Sequence, residues 1–325
     1  MPARVLSRSA RRITLAPCAH VKLHQPQDRT MSTTTSLQAE RKPLSPGTTL
    51  YGESGRAYVI DHVLHHREIP RPMGVYRARA GLQGFIVKDI LPDDFQYQQR
   101  LQHSVACSPN VRRAIDHAAE QHLFIYPYLS HSLLQLGQRN LRQDAKKRIL
   151  KAALMGLADL HDKHILHTDI KPDNIMVDCQ ESADGSLDVK RVQIADLEDA
   201  VLLGPRGNLK GCLSGNDFWR SPESWARGRQ NIPSSVFSFG IVSIFVMLDR
   251  MALYVAQEDL NGEEPWRAIL RRQLSLLGLV VEVLPSDNSG GSNVQIGLLK
   301  KPAKTKMVVF DNWVQGEQHR TKDRS

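Results

Sequence analysis

The sequence has few cysteines, and they follow no ligand or disulfide spacing. Cys18, Cys107, Cys179 and Cys212 are scattered through 325 residues. Zinc sites and small disulfide-rich domains both need cysteines in closely spaced, repeated pairs. The pattern therefore argues against a zinc module or a disulfide framework, and it is typical of a protein in a reducing compartment.

The sequence also lacks a long apolar run. Its most apolar helical stretch, Val236 to Leu248, has 13 residues, whereas a helix needs about 20 to cross a bilayer. No apolar core of a secretory signal is present, and no internal repeat is found. We therefore expect an intracellular protein, cytoplasmic or nuclear, without a membrane partner.

The central part of the chain also lacks an excess of basic charge. The net charge of +9 comes from the ends: residues 1–50 hold 8 basic and 2 acidic side chains, and residues 296–325 hold 7 and 3. Between them, 28 basic residues face 29 acidic ones. A nucleic-acid-binding domain needs a basic surface, so we expect no specific nucleic-acid partner. The sequence does not indicate an oligomeric state.

The two ends differ in composition from the middle. Residues 1–30 carry arginines and no acid before Asp28, which resembles a mitochondrial transit peptide. The alternative is translation from Met31, with a Ser/Thr-rich lead-in after it. We expect a disordered basic segment over residues 1–50 and a flexible basic tail over residues 286–325.

Against these absences stands a group of residues suited to phosphoryl transfer. That chemistry asks a protein to orient a hydroxyl, neutralise phosphate charge and hold magnesium. Asp169 is suited to orienting the hydroxyl, Lys171 to contacting the phosphate, and the oxygens of Asn174 and Asp196 to holding Mg²⁺. The flanking patterns predict a helix before the loop, with Leu150, Leu154, Leu157 and His161 on one face, and strands over 175–177 and 189–195.

These residues carry a resemblance to a known family. The segments that carry it are His167-Thr168-Asp169-Ile170-Lys171-Pro172-Asp173-Asn174, Asp196-Leu197-Glu198-Asp199 and Ser221-Pro222-Glu223. Over residues 56–270 the chain resembles the eukaryotic protein kinase superfamily, with a catalytic loop of the Ser/Thr type. The Asp196 to Ala200 segment also resembles that of fungal kinase-like proteins.

The resemblance implies an α+β, bilobal fold with a small antiparallel β lobe and a mainly helical large lobe. The small lobe and hinge would cover residues 51–130, and a shortened large lobe residues 131–285. In this family Asp169 acts as the base, Lys171 contacts the γ-phosphate, and Asn174 and Asp196 bind Mg²⁺. The implied cofactors are ATP and Mg²⁺, and the implied partner is a protein substrate.

The resemblance also assigns the remaining nucleotide contacts. Lys88 closes the strand Phe85 to Lys88 and matches the lysine that holds the α and β phosphates. The stretch Leu123 to Leu129 matches the strand and hinge that hold adenine, with the carbonyl of Pro127 and the N–H of Leu129 as the contacts.

Several positions depart from the family pattern. Thr168 replaces the arginine that receives an activation-loop phosphate, and Leu197-Glu198 replaces Phe-Gly. The segment Leu64 to Gly74 contains two prolines where the family has glycines that approach phosphate. The predicted helix Phe95 to Val105 has no glutamate to pair with Lys88, so an amide of Gln98, Gln99 or Gln102 is expected to take its place.

Further departures concern the large lobe. Ser235 replaces an aspartate that anchors the catalytic loop, and Glu223 is expected to lack its arginine partner. The stretch Cys179 to Asp188 is expected to be a solvated insertion. After the central helix the pattern predicts one amphipathic helix, Trp266 to Leu277, so either the fold is shortened or the sequence ends before the natural end.

Two functions therefore stay open. The first is an ATP-dependent protein kinase acting on Ser/Thr hydroxyls, favoured because all five active side chains are present together. The second is a catalytically weak or inactive pseudokinase that binds a nucleotide or a protein, favoured by the missing glycines, the missing glutamate and Ser235.

Overall fold

The computed structural model describes residues 43–68, 73–137, 139, 141–182, 187–255, 264–276, 281–283 and 296–298. The chain divides into two compact units, Met1–Ala252 and Leu253–Ser325. Residues 1–42 of the segment expected to be disordered over residues 1–50, most of the predicted tail, and residues 69–72 of the proline-containing segment lie outside the described residues. The expected disorder does not extend to Thr49 and Leu50, because they pair in a strand with Val59 and Tyr58. None of the helices described is both long and apolar enough to cross a membrane.

The first part of unit 1 is a six-stranded antiparallel sheet with one helix. The strands follow the spatial order β1-β2-β3-β4-β6-β5. Helix α1 (Pro92–Ser104) connects β4 to β5. The strands are β1 (Thr49–Tyr51), β2 (Ala57–Arg67), β3 (Met73–Ala80), β4 (Gln83–Asp89), β5 (Asp116–Ala118) and β6 (Leu123–Pro127).

Helices dominate the second part of unit 1. The helices are α2 (Leu133–Leu136), α3 (Gln143–Asp162), α4 (Pro222–Trp225) and α5 (Ile232–Leu248). The same part contains the strands β7 (His131–Ser132), β8 (Ile165–Leu166), β9 (Ile175–Glu181), β10 (Leu187–Ile194) and β11 (Val201–Leu202). Two 3₁₀ turns, Pro172–Asn174 and Leu197–Asp199, complete it. The predicted α+β fold, with a small antiparallel β lobe and a mainly helical large lobe, is confirmed.

The apolar face of α3 is rotated relative to the sequence expectation. Leu150 and Leu157 are buried as predicted, but Leu154 is 41% exposed. The buried stripe also contains Ile149, Ala153, Gly156 and Leu160. Leu154 lies beyond the edge of this stripe, because a helix turns about 100° per residue and the stripe is centred near Ala153. The prediction for Leu154 was therefore wrong.

The expected insertion at Cys179 to Asp188 is largely a regular hairpin. Strands β9 and β10 pair with Cys179 opposite Val189, Gln180 opposite Asp188, and Glu181 opposite Leu187. Residues 183–186 lie outside the described part. The paired residues are thus a regular extension of the hairpin. Gln180 and Glu181 are exposed, as expected of a solvated insertion, whereas Cys179 is buried.

The proline-containing segment is also more regular than expected at both ends. Strand β2 continues to Arg67, which pairs with Met73 at the start of β3. Leu64 to Arg67 and Met73-Gly74 are thus strand residues that extend the β2–β3 hairpin.

Unit 2 contains the predicted amphipathic helix. Helix α6 (Pro265–Leu276) covers nearly all of Trp266 to Leu277. Strands β12 (Val281–Val283) and β13 (Ile296–Leu298) pair antiparallel. Arg272 Nη1 of α6 donates to the carbonyl of Tyr254 at 2.9 Å.

Two helical glycines provide a stability prediction. A Cβ on Gly156 of α3 would lie 2.3 Å from the backbone oxygen of Asn110, whereas a Cβ on Gly240 of α5 would meet nothing within 4 Å. We expect Gly156→Ala to destabilise the fold by about 1–3 kcal/mol through overpacking. Gly240→Ala is expected to stabilise it by about 0.5–1 kcal/mol, because alanine restricts the unfolded chain. Urea unfolding of both variants checks this; equal midpoints would contradict it.

Candidate functional site

The loop between β8 and β9 is anchored by a buried histidine. His167 is 1% exposed, and one ring nitrogen lies 2.9 Å from the carbonyl oxygen of Ala195. Its other ring nitrogen is 3.3 Å from the N–H of Asp169. The histidine therefore joins the loop that carries Asp169 to the segment that carries Asp196.

The carboxylate of Asp169 lies at the centre of this loop. Its Oδ2 contacts Lys171 Nζ and accepts from Asn174 Nδ2 at 3.2 Å. Its Oδ1 accepts from the backbone N–H of Asn216 at 3.0 Å. The structure thus brings together the three residues that the sequence spacing grouped.

Asn216 was not among the sequence-predicted residues. It follows Gly215, whose φ is +78°. A Cβ at this position would lie 2.8 Å from the carbonyl oxygen of Thr168. A glycine is required there, both for the left-handed backbone and for the close approach. This glycine was the sequence signal that the segment folds back onto the catalytic loop.

Asn174 and Asp196 are brought side by side by the backbone. The N–H of Ala195 donates to the carbonyl of Asn174 at 2.8 Å. The amide nitrogen of Asn174 also donates to the carbonyl of Asp169 at 2.8 Å. In the described part of the chain, the side chain of Asn174 uses Nδ2 for its hydrogen bonds to Asp169, so its Oδ1 can act as an acceptor. Asp196 adopts a left-handed backbone, with φ 67°, and its side chain is 42% exposed.

This pair of oxygen ligands fits a magnesium ion. Mg²⁺ prefers oxygen ligands and is commonly held by one or two protein groups, with phosphates and water supplying the rest. Asn174 and Asp196 supply such a pair. Among the residues the structure describes, no group of three or more His, Cys, Asp or Glu side chains forms a metal site.

Lys88 lies between two carboxylates. Its Nζ is 2.7 Å from Asp196 Oδ1 and 2.9 Å from Glu198 Oε1. Burial alone lowers the pKa of Lys88, but the charges of Glu198 and Asp196 outweigh burial and raise it above its usual value. Partial burial raises the pKa of Asp196, but the charge of Lys88 outweighs this effect and holds that pKa well below its usual range. Burial, together with the charge of Asp196, raises the pKa of Glu198.

The expectation that a glutamine of α1 pairs with Lys88 was wrong. Gln98 Nε2 donates to the backbone oxygen of Glu198 at 2.7 Å. Gln99 contacts His117, and Gln102 bonds Tyr126 and the N–H of Ala114. A charged pair is therefore retained, with the carboxylate supplied by Glu198. Sequence reasoning missed it because the two residues are 110 positions apart.

Pro127, one of the two predicted hinge contacts, has an unexpected neighbour. Pro127 ends β6 opposite Phe85 of β4, and Leu129 is 2% exposed. Arg112 is 8% exposed, and its Nη2 donates to the carbonyl oxygen of Pro127 at 2.6 Å. The guanidinium carbon lies 5.3 Å from the ring centroid of Tyr126. One lone pair of the expected adenine acceptor is therefore used by the protein itself.

The segment after Asp196 is held against the catalytic loop. Thr168 Oγ1 donates to the carbonyl of Asp199 at 2.9 Å, and β11 pairs with β8. Thr168, which replaces the family's arginine, thus fixes this segment by a direct hydrogen bond to its backbone.

Two large-lobe positions have different partners from those expected. The carboxylate of Glu223 accepts from Ser234 Oγ at 2.6 Å, so a hydroxyl of α5 contacts the carboxylate whose arginine partner was expected to be missing. Ser235 Oγ donates to the carbonyl of Ile232 at 3.0 Å and lies 2.8 Å from His161 Nε2. Ser235 therefore binds its own helix and α3, while a cavity of about 10 Å³ remains beside Ser235, His167 and Thr168.

Comparison with known proteins identifies relatives of this chain. The chain is 31% identical over 114 residues to the Serine/threonine-protein kinase CLA4 of Eremothecium gossypii, a match that covers 35% of this chain and 13% of that protein. It is 23% identical over 141 residues to Serine/threonine-protein kinase D of Synechocystis, covering 43% of this chain and 27% of the relative. The matched region thus spans about a quarter or less of these relatives' length.

A solved structure and a family model add to this. The fold is similar to that of a chain in the crystal structure of the yeast RNA Pol II CTD kinase CTDK-1 complex, with a TM-score of 0.50 and 17% identity. That match covers 62% of this chain and 64% of the other. The family model named Protein kinase domain matches residues 90–282. Because that match covers more than half of the sequence, the chain belongs to the protein kinase domain family.

Proposed function

We propose that this chain is an ATP- and Mg²⁺-dependent protein kinase that transfers the γ-phosphoryl group to Ser or Thr hydroxyls of a protein substrate. The observation that carries the proposal is the single hydrogen-bonded cluster formed by Asp169, Lys171 and Asn174. Ala195 joins this cluster to Asp196, which contacts Lys88. All five side chains that the chemistry needs are therefore linked by one set of hydrogen bonds.

Each side chain has a role that its contacts support. Asp169 is fixed from both sides, by the N–H of Asn216 and by Lys171 with Asn174, so it is oriented to accept a hydroxyl proton. Bound Mg²⁺-ATP supplies the phosphoryl group and its charge neutralisation. Asn174 and Asp196 would hold the metal, Lys88 the α and β phosphates, and the N–H of Leu129 the base.

A transfer assay tests the proposal. The full chain is incubated with Mg²⁺ and ATP labelled at the γ-phosphate, together with peptide libraries whose only acceptor is Ser, Thr or Tyr. We expect label in the Ser and Thr libraries that depends on Mg²⁺. A folded sample that labels none of the libraries and does not label itself would contradict the proposal.

A second candidate is a pseudokinase that binds nucleotide or protein without turnover. The contact of Arg112 with the Pro127 carbonyl favours it, because it competes with the base for that acceptor. Mg²⁺-ATP binding without transfer in the assay above would support this candidate.

Replacing Arg112 gives a prediction for nucleotide affinity. We expect Arg112→Leu to free the Pro127 carbonyl and to tighten ATP binding by about 2- to 10-fold, the value of one net hydrogen bond. Arg112→Lys keeps a positive charge and is the matched control. Calorimetric titration with Mg²⁺-ATP measures both affinities. Unchanged affinity in Arg112→Leu would show that the base does not use this carbonyl.

A further inference from the structure

Two acidic residues of one short segment hold Lys88. Asp196 and Glu198 flank Leu197, which is 1% exposed and fixes the 3₁₀ turn against the core. The two carboxylates therefore reach the same ammonium group from a single rigid turn, at 2.7 and 2.9 Å.

Helix α1 supplies no acid to this place. Its acidic residues, Asp93 and Asp94, lie in its first turn, and its buried residues are Phe95, Gln98, Leu101 and Gln102. The helix contacts the segment through the backbone instead. Gln98 donates to the carbonyl of Glu198 at 2.7 Å, so the side chain of Glu198 remains available to Lys88.

A second contact between α1 and this segment is made by Tyr97. Its hydroxyl donates to the carbonyl of Ala200 at 3.2 Å and accepts from the N–H of Leu202 at 2.8 Å. Together with Gln98, it fixes the backbone on both sides of Asp199. Helix α1 therefore fixes the backbone at Glu198, although the carboxylate of Glu198 contacts Lys88 and not α1.

The two carboxylates are not equivalent. A divalent cation held by Asp196 would compete with Lys88 for the carboxylate oxygen that it contacts, and Glu198 would then be the carboxylate left to Lys88. Glu198 Oε1 contacts Lys88 at 2.9 Å, and its Oε2 is buried. Glu198 would therefore keep its contact with Lys88 if a cation took the Asp196 carboxylate.

We propose that Glu198 is the positioning residue for Lys88. The carboxylate that holds the lysine then comes from the segment that carries Asp196, and not from α1. This rests on the proposed function for its consequence in nucleotide binding. Asp196, the proposed metal ligand, and Glu198, the partner of Lys88, are then placed by the same short segment, because only Leu197 separates them.

Removing the carboxylate tests this role. Glu198→Gln removes the charge at constant shape. Glu181→Gln is the matched control, because it makes the same change at a carboxylate of β9 that is 66% exposed. Thermal melts establish that each variant is folded.

The first readout needs no nucleotide. An amine-selective acylating reagent is applied to the full chain, and labelling of Lys88 is followed by peptide mass spectrometry with Lys190 as the internal reference. We expect several-fold faster labelling of Lys88 in Glu198→Gln and the parental rate in Glu181→Gln. Unchanged labelling in Glu198→Gln would overturn the inference.

The second readout is nucleotide binding and turnover. In Glu198→Gln, the Kd and KM for Mg²⁺-ATP are expected to rise about 10- to 100-fold, with a smaller effect on kcat, since one charge-assisted hydrogen bond is lost. Unchanged Kd and KM in Glu198→Gln, with binding abolished in Asp196→Asn, would overturn the inference and leave the proposed function standing. If labelling responds as expected but the parent chain binds no ATP, the Glu198–Lys88 pairing stands and the proposed function fails.

Discussion

Asp169→Asn is expected to lower kcat for phosphoryl transfer by about 100- to 10,000-fold, the usual contribution of a positioned general base. An amide has the shape of the carboxylate but does not accept the hydroxyl proton. The N–H of Asn216 still finds an oxygen at position 169, and Asn174 still donates to the backbone carbonyl of that residue, so we expect the loop to keep its form. The amide NH2 would replace the oxygen that contacts Lys171 and accepts from Asn174, so those two side-chain contacts are lost. We expect the affinity for Mg²⁺-ATP to change little.

Single-turnover kinetics with a labelled acceptor peptide measure this effect. Asp173→Asn is the matched control, since Asp173 lies in the same loop but is exposed. Its rate is expected to stay close to that of the parent chain. If Asp169→Asn retains the parental rate, the labelling arises elsewhere and the proposed role of Asp169 is wrong.

The parts of the site that the sequence predicted were those encoded by short spacing. Asp169, Lys171 and Asn174 are within six positions, and a loop of that length followed by a strand leaves them little freedom to separate. Asp196 follows a strand that pairs with the strand after Asn174, so hairpin geometry brings it close. The fold class was predicted from the family resemblance that these motifs carry.

Contacts between distant segments were not predictable in this way. The pairing of Lys88 with Glu198 depends on how β4 and the 3₁₀ turn meet in three dimensions. The side chain at position 198 was read only as a replacement for a flexible glycine. The contact of Arg112 with Pro127 is similar, because nothing in the local pattern predicts that an arginine is buried beneath the hinge.

The retained charge pair also bears on the choice between the two functions. The missing helix glutamate favoured the pseudokinase when only the sequence was considered. With Glu198 at 2.9 Å from Lys88, that argument loses weight, because a charge-assisted hydrogen bond replaces the expected amide. Two arguments for a pseudokinase remain at the nucleotide site: the competition at the Pro127 carbonyl, and the prolines that replace glycines in the segment Leu64 to Gly74.

Asp196→Asn is expected to abolish the stabilisation of the chain by Mg²⁺-ATP. Ligand that binds only the folded state stabilises it by about 2.7 kcal/mol at one hundred times Kd. For a folded unit of this size, that corresponds to a rise in Tm of about 5–10 °C. Without a carboxylate at position 196 the metal loses a charged ligand, and the shift should fall to about the value seen with EDTA.

The variant itself is expected to fold, which makes the comparison clean. Asparagine tolerates the left-handed backbone that Asp196 adopts, at φ 67°. Lys88 also keeps Glu198 as a charged partner. Asp188→Asn, which changes an exposed carboxylate on β10 that pairs with Lys190, is the matched control and should keep the full shift. Differential scanning fluorimetry with and without Mg²⁺ measures all three proteins. An equal shift in Asp196→Asn and the parent chain would mean that ATP binds without this carboxylate, and the metal site would then have to be sought elsewhere.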